Sequence, residues 1–493
     1  MVRTGSGGSG PRTSALGTFD SVVMAVAGCG PAYTVIALIP ALVAAVGFAA
    51  PAALLYGAIP MVGIALAFRH LGRLDVNSGA SYSWVARSLH PFLGFLSGWA
   101  VVAATTLFMT ASTTPAGKAT LSLLDDKLAE NDVVATSVGL GQFLLIAAVV
   151  ASGAKVAARV RAVAVGIQLA LLLAVAVAAL TRDAHAAFSF SWFGFGHFDA
   201  THTFTAGVLV VGALYWGWDV TANLSEETRG GRRVSGLGGL IGLLVVAMTL
   251  LALTVSANMI LGPDAVTSED GGFLSELGDA AWPGVGGTLL VLAVPLSMVA
   301  TLETTLLQAT RTLFAMGRDR TMPSLLGRIH PRRQTPVAST LAVGSVVVTA
   351  LICASVTDGG MAVLEDTLMG IGLLVAFYYA LVGIAVVVTY RSLLFASAGN
   401  LICLGLLPII GATFNIWIFA ASVPTLTGVQ LAIGLGSLAL GLVPVTIARL
   451  QGGRSFFRAR RLDPSAADRE DEHARDAEMV GGAHRREGLL SDF

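Results

Sequence analysis

Between Asp20 and Arg69 the sequence has no charged side chain, yet this apolar run is interrupted by Gly28-Cys29-Gly30-Pro31. A run of that length belongs in hydrocarbon, where ~30 Å is crossed by roughly 20 apolar residues per helix. Helix breakers there are expensive, because each freed backbone N–H or C=O goes unsatisfied unless protein or a water-filled cavity surrounds it. Pro31 lacks an N–H and disfavours the helical conformation at Gly30, while the two glycines permit close backbone approach. One half-helix should therefore end near Gly28 and another begin near Pro31. The carbonyls of the first would attract a cation and the N–H groups of the second an anion. An amino acid zwitterion carries both charges on one carbon. A plain Gly/Pro kink or a tight helix crossing is the alternative.

The remainder of the 493-residue chain is of the same class: 55% hydrophobic and 12% charged, with a mean hydropathy of +0.77. That balance excludes a stack of soluble domains. Punctuation by Gly, Pro and charge divides residues 17–450 into twelve spans beginning near 18, 52, 92, 133, 157, 204, 236, 284, 337, 366, 400 and 427. With the N-terminus inside, the inside loops hold Arg69, Arg73, Arg87, Lys155, Arg159 and Arg161, then Arg229, Arg232, Arg233, the arginines from 311 to 333, and Arg391. The outside loops keep Lys118, Lys127 and Arg182 and collect acids such as Asp125, Asp126, Asp264, Glu269, Asp270 and Glu276. This positive-inside asymmetry places both termini in the cytoplasm. Residues 1–16 read as a loose arm without a signal-peptide core, and residues 451–493 as a charged, disordered tail. Cys29, Cys353 and Cys403 sit in apolar segments and read as packing residues. The formal net charge of zero points to no nucleic-acid partner.

A second interruption falls five spans later. In "GVLVVGALYWGWDVTANLSEETRGGRR", Gly212 and Gly217 bracket Ala213, Leu214, Tyr215 and Trp216, and Asp219 follows. Three stretches carry a resemblance: "GWDVTANLSEETRGGRR", "DVNSGASYSWVARSLHPFLGFLSGW" and "QATRTLFAMGRDRTMPSLLGRIHPRRQTP". Together they resemble the amino acid-polyamine-organocation (APC) superfamily of transporters across roughly residues 17–450. The resemblance implies an all-α integral membrane protein with twelve transmembrane helices, a five-plus-five inverted repeat, and helices one and six unwound at the substrate. It implies no enzymatic activity, no cofactor and no metal.

By that resemblance, backbone N–H groups at Gly28, Cys29 and Gly30 hold a substrate carboxylate. Carbonyls of helix one and of Ala213, Leu214, Tyr215 and Trp216 hold the amino group, and Tyr215 or Trp216 closes over the substrate. Thr301 and Ala300 fall where sodium-coupled relatives place ligands. Gln168 falls where some proton-coupled members carry a lysine, and it cannot titrate. Asp219 reads as a structural hydrogen-bonding acid and Glu226 and Glu227 as acids facing Arg229, Arg232 and Arg233, a structural or gating network, with direct coupling as the alternative for these acids. Glu303, eight residues before Arg311, lies ~12 Å of helix from the boundary. A charge there costs ~3 kcal/mol, so Glu303 must be protonated, paired or facing water; it is the candidate coupling carboxylate.

The mid-depth stretches of helices one, three and ten offer no charged side chain, only weakly acidic groups such as the phenols of Tyr378 and Tyr379, which favours a neutral amino acid. The expectation is a plasma-membrane secondary transporter coupled to a proton, or to sodium. The alternatives are an amino acid exchanger, a transporter of cationic amino acids or polyamines, and a transporter-like nutrient sensor. Oligomeric state is unread.

Overall fold

The computed structural model describes residues 16–179, 186–198, 203–267, 272–357, 359–451 and 454–465. Arg182, Glu269, Asp270, nearly all of the N-terminal arm and residues 466–493 lie outside them. Among the described residues the chain is helical without a strand, apart from one isolated parallel bridge between Leu16 and Thr228.

Ten helical stretches among these residues are long and apolar enough to cross a membrane, against the twelve spans expected. The first, Thr18–Leu74, is 57 residues long and contains two expected spans. It comprises α1 (Thr18–Cys29), α2 (Pro31–Val46) and α3 (Ala50–Leu74). A short helix α4 (Ser81–Ser88) leads into α5 (Pro91–Leu121), α6 (Asp132–Ser152) and α7 (Ala154–Ala179). The expected sixth span is helical as α8 (Thr203–Leu214) and resumes only as the single turn α9 (Val220–Asn223). Then follow α10 (Gly231–Ile260), α11 (Gly286–Arg318), α12 (Val337–Val356) and α13 (Gly360–Thr389). Two spans from Ala398–Ser422 and Gly428–Leu450 complete the set. The span expected from 236 starts at Gly231 because Gly230, at φ 66°, caps it in the left-handed region. The span expected from 366 starts six residues earlier, at Gly360.

Helix α11 packs against α5, α7 and α1, and α1 also packs against α10 and α7. Without a hydrophobic contrast between protein and lipid, helices of this kind associate through close packing and interhelical hydrogen bonds. The 3.0 Å contact between the Thr114 and Thr136 hydroxyls, on α5 and α6, is one such bond.

Leu16 and residues 456–462 engage the body beside Arg229 and Arg87. Leu16, 2% exposed, donates its N–H to Glu227 O at 3.2 Å and accepts from Arg229 N–H at 2.9 Å. Within the stretch expected as a tail, Phe456 stacks on Tyr82 with centroids 4.6 Å apart and rings 8° from parallel. Arg87 Nε donates to Arg460 O at 3.0 Å, and Leu462 N–H donates to Arg87 O at 3.4 Å. Burial lifts the Tyr82 phenol well above its ordinary range and raises the nearby Asp319 carboxyl, which Arg318 partly offsets.

Candidate functional site

The first break is a single residue. Gly30 adopts φ 54°, ψ 61°, capping α1 and opening α2 at the same point. Its N–H donates to Val26 O at 3.1 Å and Ala27 O at 3.2 Å. Pro31 has no N–H, so Ala27 O loses its regular helical donor; the Thr301 hydroxyl lies 2.9 Å from it and 2.8 Å from Ser297 O. The Thr34 hydroxyl donates to Cys29 O at 2.6 Å, and Tyr33 N–H donates to Ser297 Oγ at 3.3 Å. Side chains of α2 and α11 thus hold open a backbone that a helix would otherwise close. Thr301, which falls where sodium-coupled relatives place a ligand, reaches the break carbonyl.

The second break is longer. Regular helix stops at Leu214 and resumes at Val220; between them only single-turn contacts remain, Trp216 N–H to Ala213 O and Val220 N–H to Gly217 O at 3.4 Å each, and Gly217 takes φ 107°. The two breaks touch. A Cβ on Gly28 would run into the Gly217 carbonyl, and a Cβ on Gly217 into the Gly28 carbonyl. Glycine is required on both sides for this backbone-to-backbone contact.

The aromatic residues beside the second break have different roles. Tyr215 is 1% exposed and donates its phenol to Leu54 O at 3.0 Å, anchoring the break to α3. Trp216 is only partly buried, and it meets Phe108 edge-on at 5.5 Å, while Phe108 meets Tyr33 edge-on at 6.2 Å. Of the two candidates to close over a ligand, Trp216 borders accessible space. Leu214 is fully buried and Ala213 is exposed.

Asp219, 1% exposed, accepts from Gln308 Nε2 at 2.8 Å and the Tyr378 phenol at 3.0 Å on Oδ2, and from the Tyr379 phenol at 3.1 Å on Oδ1. The second break is thereby tied to α11 and α13. Glu303 has an ionic partner: Arg161 Nη1 lies 2.7 Å from Glu303 Oε1, with both side chains buried. Arg161 therefore belongs to the interior of α7, not to the inside loop expected from the charge pattern. The expected partners of the Glu pair are also corrected. Glu227 pairs with Arg311 at 2.9 Å, and Glu226 with Arg318 at 3.0 Å while accepting from Ser78 N–H at 2.8 Å. Asn223 bridges the same region, donating to Ser78 O and Thr312 Oγ1. Gln168 is fully buried, with neither amide atom hydrogen-bonded among the described residues.

Gln308, Arg161 and the Phe108–Tyr33 pair are the contributors that sequence reasoning missed. Their signal was polarity or aromaticity inside an apolar helix, but their partners are distant in sequence. Among the described residues, no group of three or more His, Cys, Asp or Glu side chains stands together to hold a metal.

A family model described as amino acid permease matches residues 16–445. The chain is similar to "Branched-chain amino acid permease BcaP" of Bacillus subtilis (strain 168), 31% identical over 189 residues, which is 38% of each chain. It is also similar to "Cationic amino acid transporter 4, vacuolar" of Arabidopsis thaliana, 33% identical over 141 residues, or 28% of this chain and 23% of that one. The matched stretches thus span well under half of these relatives.

Proposed function

The chain belongs to the amino acid permease family, and on that premise we propose that it is a secondary amino acid transporter of the plasma membrane. It works by alternating access through a twelve-span, five-plus-five inverted-repeat body with both termini cytoplasmic. The substrate site lies at the two breaks. The carboxylate is held at the start of α2, beside the Gly28-Cys29-Gly30 segment but not by the Gly30 N–H, which donates to Val26 and Ala27 O, and the amino group at the carbonyls around Leu214 and Trp216. Helix-end dipoles favour this arrangement of charges. The observation that carries this reading is the contact of Gly28 with Gly217, which brings two helix interruptions to one point.

A neutral amino acid is the proposed substrate. Asp219 is surrounded by three donors, while Glu303, Glu227 and Glu226 each face an arginine. A cationic substrate side chain would therefore have to displace an existing partner, and the rings of Tyr33, Phe108 and Trp216 suit an apolar one. Coupling is assigned to a proton, with Glu303 as the titrating group: protonation would release Arg161. Sodium at Thr301 is the alternative.

The test is uptake of radiolabelled L-alanine, L-valine, L-leucine, L-phenylalanine and L-lysine into proteoliposomes, with and without an inward proton gradient, for wild type and Glu303→Gln. Saturable, gradient-driven accumulation of the neutral substrates, lost in the variant, is expected. Lysine as the sole substrate would overturn the substrate class. Uptake that needs only internal amino acid would make the protein an exchanger.

A further inference from the structure

Trp216 owes its position to a directed chain of hydrogen bonds. Its indole Nε1–H can only donate, and it does so to the Tyr378 phenol at 2.8 Å. That phenol has one proton, which goes to Asp219 Oδ2 at 3.0 Å, leaving a lone pair facing the indole. Asp219 is itself fixed, since Tyr379 occupies its other oxygen and Gln308 donates to Oδ2. Tyr378 and Tyr379 are both almost completely buried. At the far end, the Trp216 ring is partly exposed and braced edge-on at 85° by Phe108. A rigid carboxylate thus sets a phenol, and the phenol sets a partly exposed indole that meets Phe108, which in turn meets Tyr33 just past the first break.

We propose that Tyr378 is a positioning residue for substrate selection: anchored by Asp219, it fixes the angle of the Trp216 ring and thereby the size of amino acid side chain admitted beside it. This rests on the transport reading and deepens it. It gives Asp219 a part in selectivity although Asp219 does not touch the substrate.

The neighbouring tyrosine supplies the control. Tyr378→Phe and Tyr379→Phe each remove one phenol donor from Asp219, but only Tyr378→Phe leaves the Trp216 indole without its acceptor. KM and maximal rate are measured in proteoliposomes for L-alanine, L-valine, L-leucine and L-phenylalanine. In Tyr378→Phe the efficiency ratio of the largest to the smallest substrate should change by roughly tenfold, mainly through KM, as loss of one buried hydrogen bond allows. In Tyr379→Phe that ratio should stay within about twofold of wild type, whatever happens to the absolute rate. Trp216→Phe, a second variant that does not depend on Tyr378→Phe folding, should shift the ratio similarly. Equal shifts in both tyrosine variants, or an unchanged ratio in Tyr378→Phe or Trp216→Phe, would overturn the proposal. Absence of saturable uptake by wild type would instead remove the transport reading on which it stands.

Discussion

Asp219 and Glu303 are both buried carboxylates, yet the chain stabilises them in different ways. Asp219 stands at a helix break and is held by three neutral donors from two other helices. Glu303 stands within the long helix α11 and is held by one cation, Arg161. Neutral donors solvate a carboxylate without cancelling its charge, and they fix its orientation through several directions at once. A single arginine cancels the charge but depends on one contact. The first arrangement suits a group that positions others; the second suits a group whose state can be switched by one proton.

The comparison breaks most visibly at the ion pair. Glu303→Ala or Arg161→Ala leaves a buried charge alone and should destabilise by about 3–5 kcal/mol, while the double variant with alanine at both positions, which leaves no charge behind, should lose well under the sum of the two. Thermal unfolding of purified protein across the double-mutant cycle checks this, and additive single effects would contradict it. A smaller effect is expected at the break. Asp219→Asn exchanges a charged acceptor for an amide with one acceptor oxygen, so at least one phenol loses its partner, at about 1.5–3 kcal/mol on the same assay. Tyr379→Phe removes one of the three donors and should cost about 1 kcal/mol, and a loss as large as that of Glu303→Ala would mean that the donors act as one unit. The smallest effect belongs to the partly exposed Glu226–Arg318 pair, whose arginine side chain is 35% exposed. Glu226→Gln should cost at most ~1 kcal/mol, and 1 M salt should weaken this pair while sparing Arg161–Glu303.

The contrast also shows what could be read from the chain. The first break was legible because its cause is local: Pro31 lacks a donor and Gly30 can take a positive φ. The second was legible as an interruption but was expected at residues 213–216. It lies at 215–219 because Gly212 stays in regular helix, packed against Ile418, and Gly217 alone takes the left-handed conformation. Asp219 reads from the sequence as a hydrogen-bonding acid, but its donors lie 89 to 160 residues away, and nothing local indicates such pairings. For Glu303, the depth argument required a partner or a proton without naming Arg161, 142 residues away. Arg161 was misread for a physical reason: charge counting assigns a cation near a span's end to water, and a buried counter-charge overrides that.

The central claim is that the two breaks together form the amino acid site, and Gly30 tests it most directly. A side chain there would both strain the φ of 54° and press on the Thr301 hydroxyl. Equilibrium binding of the radiolabelled panel to purified Gly30→Leu, in protein that inserts and unfolds cooperatively like wild type, should show no saturable component where wild type has one. Wild-type binding in that variant would contradict the account.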